Sequence, residues 1–373
     1  MRSWTVVVAG LATLAVAAPA RAGDPAVLYN QITDPVQRLY FRTAIANPNG
    51  SDVVYYWSGS AYIYVAGDSF KAPYPGAPGN HYPHGGGNGG TPLLGFEGYS
   101  IRRVIADPYN PNDFLLATRE IVFYTHPATG DVVTSWTNPL TGKTTPVVPV
   151  LNEQLYSRYR VVNGELRAVT VVQYPAGGAC AEMPLEGPVG ASPEQWGNDY
   201  VWPVEVFPSY KLSDCGRYGI TDPMGLKNGR YTSSEMFNFQ VSKRQLWRVK
   251  HWDSAWSGWV PPARLSWNRT GPLLPWMCAD EATYPAQLHY AVRSRLLRRW
   301  KDLPASFKAK MKGYGFPLGG LSFTDWQSAP QLVPPPPSAG SLALPAWDTS
   351  WSVFHAKVLA PMGQTWAQWC AAH

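Results

Sequence analysis

Apolar and polar residues alternate with a period of two along several stretches of this chain, which is the pattern of strands with one buried face. Residues 114–124 read as a strand that is largely apolar on both sides, with one charge on each. One side carries Phe114, Leu116, Thr118, Glu120, Val122 and Tyr124, and the other carries Leu115, Ala117, Arg119, Ile121 and Phe123. Strands are also predicted over 131–137 and 143–150. Two Pro-x-Thr-Gly turns, 127–130 and 139–142, separate these three segments, because Pro presets the turn and Gly accepts positive φ. Residues 158–162 and 165–172 flank Asn163-Gly164, a strong hairpin signal. Residues 53–57 and 61–65 read as a hairpin turning at Ser58-Gly59-Ser60. Later strands are predicted over 231–240, 243–251 and 288–296. The last of these competes with a helical spacing of Leu288, Val292, Leu296 and Trp300.

Two helices are expected. Asp34 followed by Pro35 opens one that runs to Ala46, where Asn47-Pro48-Asn49-Gly50 stops it. A short one covers 304–311. Residues 67–92, 175–229 and 328–346 read as Gly/Pro-rich loops, the last extended by four prolines at 334–337. The predicted fold class is mainly β: an antiparallel meander closing into a lipocalin-like barrel or strongly curved sheet, with long loops and a few short helices. No linker is visible, so residues 23–373 are read as a single β-rich domain.

Composition supports this picture. Aromatic residues make up 13% of the 373, with 17 Trp, and charged residues 15%; Gly numbers 34 and Pro 36. Short strands joined by many turns need such a mix, whereas helical bundles and disordered chains do not. Residues 1–22 read as a signal peptide: Arg2, an apolar run from Thr5 to Ala17, then Ala20-Arg21-Ala22 before the cleavage point. The expected location is periplasmic or secreted, with no transmembrane segment in the mature chain. Removing Arg2 and Arg21 lowers the net charge of +6 by two. The basic run Arg293, Arg295, Arg298, Arg299, Lys301, Lys308, Lys310 and Lys312 is read as a solvated face, and no nucleic acid partner is expected. Four cysteines in an oxidising compartment predict two disulfides. Among three pairings, Cys180–Cys215 is the first choice for its short loop, with Cys278–Cys370 second.

The turn-strand-turn core is similar to a known family. The residues that carry the resemblance are Tyr56-Trp57-Ser58-Gly59 with Tyr62, Gly95-Phe96-Glu97-Gly98, Arg119-Glu120 with Tyr124, Thr129-Gly130 through Trp136-Thr137-Asn138-Pro139, Asn152-Glu153, Pro275-Trp276-Met277 and Thr349-Ser350-Trp351. They resemble the bacterial and fungal domain-of-unknown-function family eighteen thirty-eight. His126 departs from the acidic residue expected before the first Pro-x-Thr-Gly turn. The resemblance implies a shared fold and no activity.

Barrels with aromatic walls can hold one small molecule. Trp57, Tyr62, Tyr124, Trp136, Asn138 and Trp276 are the candidate ligand contacts. Asn138, like Asn152, also suits a turn. Glu97, Arg119 and Glu120 are the leading catalytic candidates, since each is a charge set among apolar residues and a buried charge needs a partner or a shifted pKa. Arg102 or Arg103 is the expected counter-ion of Glu97. His251 and His289 are further candidates for proton transfer. The chain has no Gly-x-Ser-x-Gly elbow, dinucleotide fingerprint or helical metal-ligand pair, and nothing near His81-x-x-His84 completes a site. Neither metal nor cofactor is therefore expected. Two functions stand open. One is a small-ligand barrel that catalyses cofactor-independent acid–base chemistry, as a lyase, isomerase or hydrolase. The other is a non-catalytic ligand-binding or envelope-associated protein.

Overall fold

The period-two alternation is satisfied in one large antiparallel sheet. A computed structural model describes residues 23–65, 92–107, 110–172, 182–207, 209–211, 222–297, 300–314 and 354–373. Its strands are β1 (Val53–Val65), β2 (Leu94–Ala106), β3 (Asp113–Thr125), β4 (Ser135–Thr137), β5 (Thr144–Pro146), β6 (Val150–Val162), β7 (Glu165–Val172), β8 (Glu182–Pro188), β9 (Glu194–Trp196), β10 (Asp199–Val206), β11 (Ser209–Lys211), β12 (Arg230–Thr232), β13 (Ser234–Ser242), β14 (Ala263–Pro272) and β15 (Ala286–Leu297). Eleven of them form a sheet in the order β8-β7-β6-β3-β2-β1-β15-β14-β13-β10-β9. The order is linear, and no closed barrel forms among the described residues. Pairs β4–β5 and β11–β12 stand apart. The seam is β1 against β15, with Trp57 opposite Ser294 and Tyr62 opposite His289.

Both faces of the sheet are apolar. The Glu120 face buries Tyr55, Trp57, Phe96, Tyr124, Trp267 and Tyr290. Its rings meet over intervening strands. Phe96 of β2 lies 5.6 Å from Trp267 of β14, with β1 and β15 between them, and Tyr55 of β1 lies 6.3 Å from Phe239 of β13. The Arg119 face buries Val54, Tyr99, Ile101, Ile121 and Phe123 against Phe307 and Met311 of helix α4 (Ala305–Gly313).

The helices α1 (Pro25–Gln31), α2 (Pro35–Tyr40) and α3 (Arg244–Trp252) complete the frame. Asp34 caps α2 by accepting from the Val36 amide at 2.8 Å, as its sequence predicts. A π turn, Phe41–Ile45, continues α2 and packs on the Glu120 face, with Phe41 5.3 Å from Phe114. Arg42 in that turn is fully buried. It pairs with Asp253 at 2.8 Å and donates to the Trp259 and Ser254 carbonyls at 2.7 Å.

Several expectations hold. Asn163 and Gly164 both take positive φ between β6 and β7, and Gly130 and Gly142 do so in their turns. Residues 286–297 are strand, with buried and accessible side chains alternating. The disulfide Cys278–Cys370 is present, while Cys180 and Cys215 lie outside the described residues. So do residues 1–22, nearly all of loop 67–92 with His81 and His84, and the proline-rich segment 328–346.

Four expectations are corrected. The hairpin at Ser58-Gly59-Ser60 is absent: β1 runs straight through, because Gly59 lets β15 approach closely. A Cβ there would lie 2.3 Å from the Ala291 carbonyl oxygen and 2.6 Å from the Val292 Cα. The strand predicted over 243–251 is helix α3. The Trp247 ring meets that of His251, one turn later, at 5.0 Å, a helical neighbour relation that outweighs the weak alternation. Region 175–229 is no single loop but contains β8 to β11, whose prolines and glycines sit in or beside short strands. The strands predicted over 131–137 and 143–150 shrink to the three-residue β4 and β5.

Replacing Gly59 with Ala should destabilise the protein by about 2–3 kcal/mol through overpacking against backbone. Urea denaturation followed by circular dichroism measures this. Gly258→Ala, where nothing lies within 4 Å of the added carbon, should stay within about 0.5 kcal/mol. Equal effects would contradict the close approach of β1 and β15.

Candidate functional site

Charged residues occupy inward positions of the Glu120 face by the same alternation that places its aromatics. On β2, Ser100 and Arg102 follow Leu94, Phe96 and Gly98 at every second position, and both are buried. Ser100 pairs across the sheet with Glu120 on one side and Tyr55 on the other. Arg102 donates from Nη1 to the Ala44 carbonyl at 2.6 Å and from Nε to the Ser100 hydroxyl at 3.4 Å. Its guanidinium lies 4.8 Å from the Tyr55 ring centre and 5.6 Å from that of Phe239.

Glu120 is half-buried beside this group. Burial raises its carboxyl from the ordinary 4.5 to about 7, against the opposing pull of the Arg102 charge and a hydrogen bond from Ser100, and with a further push from Glu235. Glu235 comes from β13, at the far side of the seam. Its Oε1 is 3.3 Å from Arg269 Nε, and its Oε2 accepts from Trp267 Nε1 at 3.3 Å. Arg269 also donates to the Tyr231 hydroxyl. The face thus sets an ion-paired carboxylate, Glu235, near a carboxyl that exchanges its proton close to neutrality.

Trp57 and Ser294, directly paired across β1 and β15, point to the same face. Trp57 is 5% exposed and Ser294 6%. The indole Nε1 and the Ser294 hydroxyl have no hydrogen-bond partner among the described residues. An indole N–H can only donate, so Trp57 offers a donor, and Ser294 a hydroxyl, that the described residues leave unused.

The structure separates the residues singled out in the sequence. Trp57, Tyr124 and Glu120 share one face. Tyr124 and Tyr290 hydroxyls lie 3.3 Å apart, and the Tyr124 ring meets Trp276 at 5.5 Å, which in turn meets Trp136 at 5.8 Å. Asn138 is buried in its turn, donating to the Met277 carbonyl at 2.7 Å and accepting from the Leu140 amide at 2.9 Å. Glu97 and Arg119 stand on the opposite face from Glu120, so the three charges do not form one centre. Lys310, rather than Arg102 or Arg103, pairs with Glu97, and the Tyr56 hydroxyl donates to it at 2.5 Å. Arg103 pairs with Asp52 at 2.8 Å. Arg119 is buried beside Tyr99. Tyr62 and His289 pair on the Arg119 face, where burial lowers the His289 pKa and Thr270 Oγ1 lies 2.8 Å from its Nδ1. His251 is exposed on α3.

Sequence reasoning missed Glu235 and Arg269. Their signal was available: Glu235 alternates with Phe237, Phe239 and Val241, and Arg269 with Leu265 and Trp267. Among the described residues, no group of three or more His, Cys, Asp or Glu gathers to hold a metal, and no helix is long and apolar enough to cross a membrane.

Glu120 gives the stability a defined pH dependence. A carboxyl with a raised folded pKa favours the folded state when protonated. Its contribution is complete below about pH 4.5 and lost as pH rises through about 7. The loss is at most about 3 kcal/mol, reduced by water at this half-buried position. The stability of Glu120→Gln relative to wild type should therefore rise between pH 4.5 and 7.5 in urea titrations. A difference that stays constant would show that Glu120 titrates normally.

A family model described as a protein of unknown function, DUF1838, matches residues 78–318, from ahead of β2 to just beyond α4. No curated protein matches the chain.

Proposed function

We propose, for a chain that belongs to the DUF1838 family of proteins of unknown function, that the Glu120 face encloses one small molecule and that Glu120 exchanges a proton with it. The ligand is apolar, aromatic or a sugar. The observation that carries this reading is the company Glu120 keeps: a half-buried carboxyl beside Arg102 and Ser100, in a field of aromatic rings that also presents the donors of Trp57 and Ser294, unpartnered among the described residues.

The sheet is strongly curved in this reading, with the Glu120 face on the inside. Strands pair about 4.8 Å apart, so β2 and β14, three steps removed, would stand roughly 14 Å apart in a flat sheet. Phe96 and Trp267 nevertheless meet at 5.6 Å. An aromatic trough of this kind stacks on flat or hydrocarbon surfaces. A carboxyl that titrates near neutrality is suited to general acid–base work, because it is present in both forms at working pH. Elimination, isomerisation and hydrolysis can each proceed through such a group without a cofactor. Glu235, ion-paired with Arg269 at 3.3 Å, adds a second carboxylate to the same face. Export of the chain through residues 1–22 belongs to the same proposal, and the Cys278–Cys370 disulfide supports an oxidising compartment.

The test incubates purified protein with a solvent extract of host cells and follows components by mass spectrometry. Wild type should deplete at least one component. Glu120→Gln should slow that conversion by at least ~100-fold while still carrying the compound as a non-covalent adduct. Conversion that survives in Glu120→Gln would contradict the acid–base role. An adduct without any conversion would instead make the protein a binder.

A further inference from the structure

Most tryptophans whose side chains the structure describes are buried or half-buried, yet four stand out in water. Trp196 is 60% exposed, Trp247 57%, Trp252 71% and Trp256 62%. They occupy the β9–β10 hairpin, helix α3 and the turn that follows it. Lys243, at the start of α3, ties the first two regions together. Its Nζ donates to Gln195 Oε1 and to the Gly197 carbonyl, both at 2.9 Å, on either side of Trp196. Trp247 and Trp252 lie 5.5 Å apart, centre to centre. Exposed aromatic groups gathered in this way mark an interaction surface, whereas single exposed apolar residues do not.

Along α3, which carries Trp247 and Trp252, the charges have one sign, whereas Glu194 and Asp199 flank Trp196. Arg244, Trp247, Arg248 and His251 recur at positions i, i+3, i+4 and i+7 of α3, which puts them on one stripe, and all four are exposed. Lys250 is exposed as well. Residues 243–252 contain no Asp or Glu. The inward side is pinned by Val249, buried in the main core, while Asp253 just past the helix is consumed by Arg42. α3 is thus anchored from beneath and offers tryptophan and cationic side chains outward.

We infer that this surface docks the protein on a membrane surface bearing anionic headgroups, with α3 lying in the plane of the interface. Indole rings favour the headgroup region, where an apolar body and a polar N–H are both satisfied. Basic side chains among them add attraction to an anionic leaflet. A platform for neutral sugars also uses exposed tryptophan, but it places hydrogen-bonding carboxylates and amides beside the rings. Beside Trp247 and Trp252 the flanking groups are Arg244, Arg248 and Lys250, and Glu194 and Gln195 stand only beside Trp196. The helix is short, so the contact is peripheral and reversible.

Co-sedimentation with vesicles tests this inference on the full chain. Partitioning onto phosphatidylcholine vesicles containing 30% phosphatidylglycerol should exceed that onto pure phosphatidylcholine by at least tenfold, and 0.5 M NaCl should remove most of the difference. The variant Trp247→Ala, Trp252→Ala, Trp256→Ala should lose at least tenfold in partitioning, and so should the reversal Arg244→Glu with Lys250→Glu. These side chains are exposed, so circular dichroism should report an unchanged fold. Equal partitioning onto both vesicles, no partitioning, or full binding by the tryptophan variant would overturn the inference. Retention of wild type on insoluble cellulose but not on vesicles would overturn it in favour of a sugar platform.

Discussion

Arg102 carries a full charge on the aromatic face of the sheet with 7% of its surface exposed, and much of the structure is arranged around compensating it. The guanidinium reaches the Ala44 carbonyl in the π turn after α2, the Ser100 hydroxyl on its own strand, and the rings of Tyr55 and Phe239. One side chain therefore ties the N-terminal helical segment to β1, β2 and β13. It also sets the electrostatics of β3. Without a nearby cation, a carboxyl among Leu116, Thr118 and Val122 would stay protonated far above neutrality. With Arg102 beside it, Glu120 sits where both forms are populated. Fold and candidate chemistry thus share a cause: a charge buried in a sheet must be answered from neighbouring strands.

The two faces divide the work. The Arg119 face is closed by α4, and its charges are answered locally, as Glu97 is by Lys310 and Tyr56. The Glu120 face gathers groups from both halves of the sheet: β1–β3 and β13–β15 pair through the β1–β15 seam, and their rings meet across it. Gly59 keeps that seam tight, and Trp57 and Ser294 face each other across it with donors that no described residue accepts. The outer tryptophans of α3 lie apart from both faces. Their separation from the core makes the proposed small-molecule site and the proposed docking surface independent of each other.

Much of the sheet was legible in the sequence because period-two alternation and turn chemistry are local. Asp34-Pro35, Asn163-Gly164 and the strand around Glu120 all took the predicted form. Failures came where a distant strand decides the outcome. Ser58-Gly59-Ser60 has the composition of a turn, and only the approach of β15, more than two hundred residues away, makes Gly59 a strand residue. The run from Lys243 has an alternation too weak to outweigh helical neighbour contacts. The site was legible as a set of charges at apolar positions, but not as a constellation. Alternation assigns Glu120 and Arg119 to opposite faces, yet it cannot say that Glu97 shares the face of Arg119, or that Glu235 from β13 is the carboxylate that acts on Glu120.

The most direct test of this account is a carbon-13 NMR titration of the Glu120 side-chain carboxyl in the intact protein, assigned by comparison with Glu120→Gln. The account predicts a midpoint near 7, moving upward when Arg102 is replaced by Gln, because a stabilising positive charge is lost. A midpoint near 4.5, indifferent to Arg102, would place Glu120 in ordinary contact with water and remove the basis for proton exchange on this face.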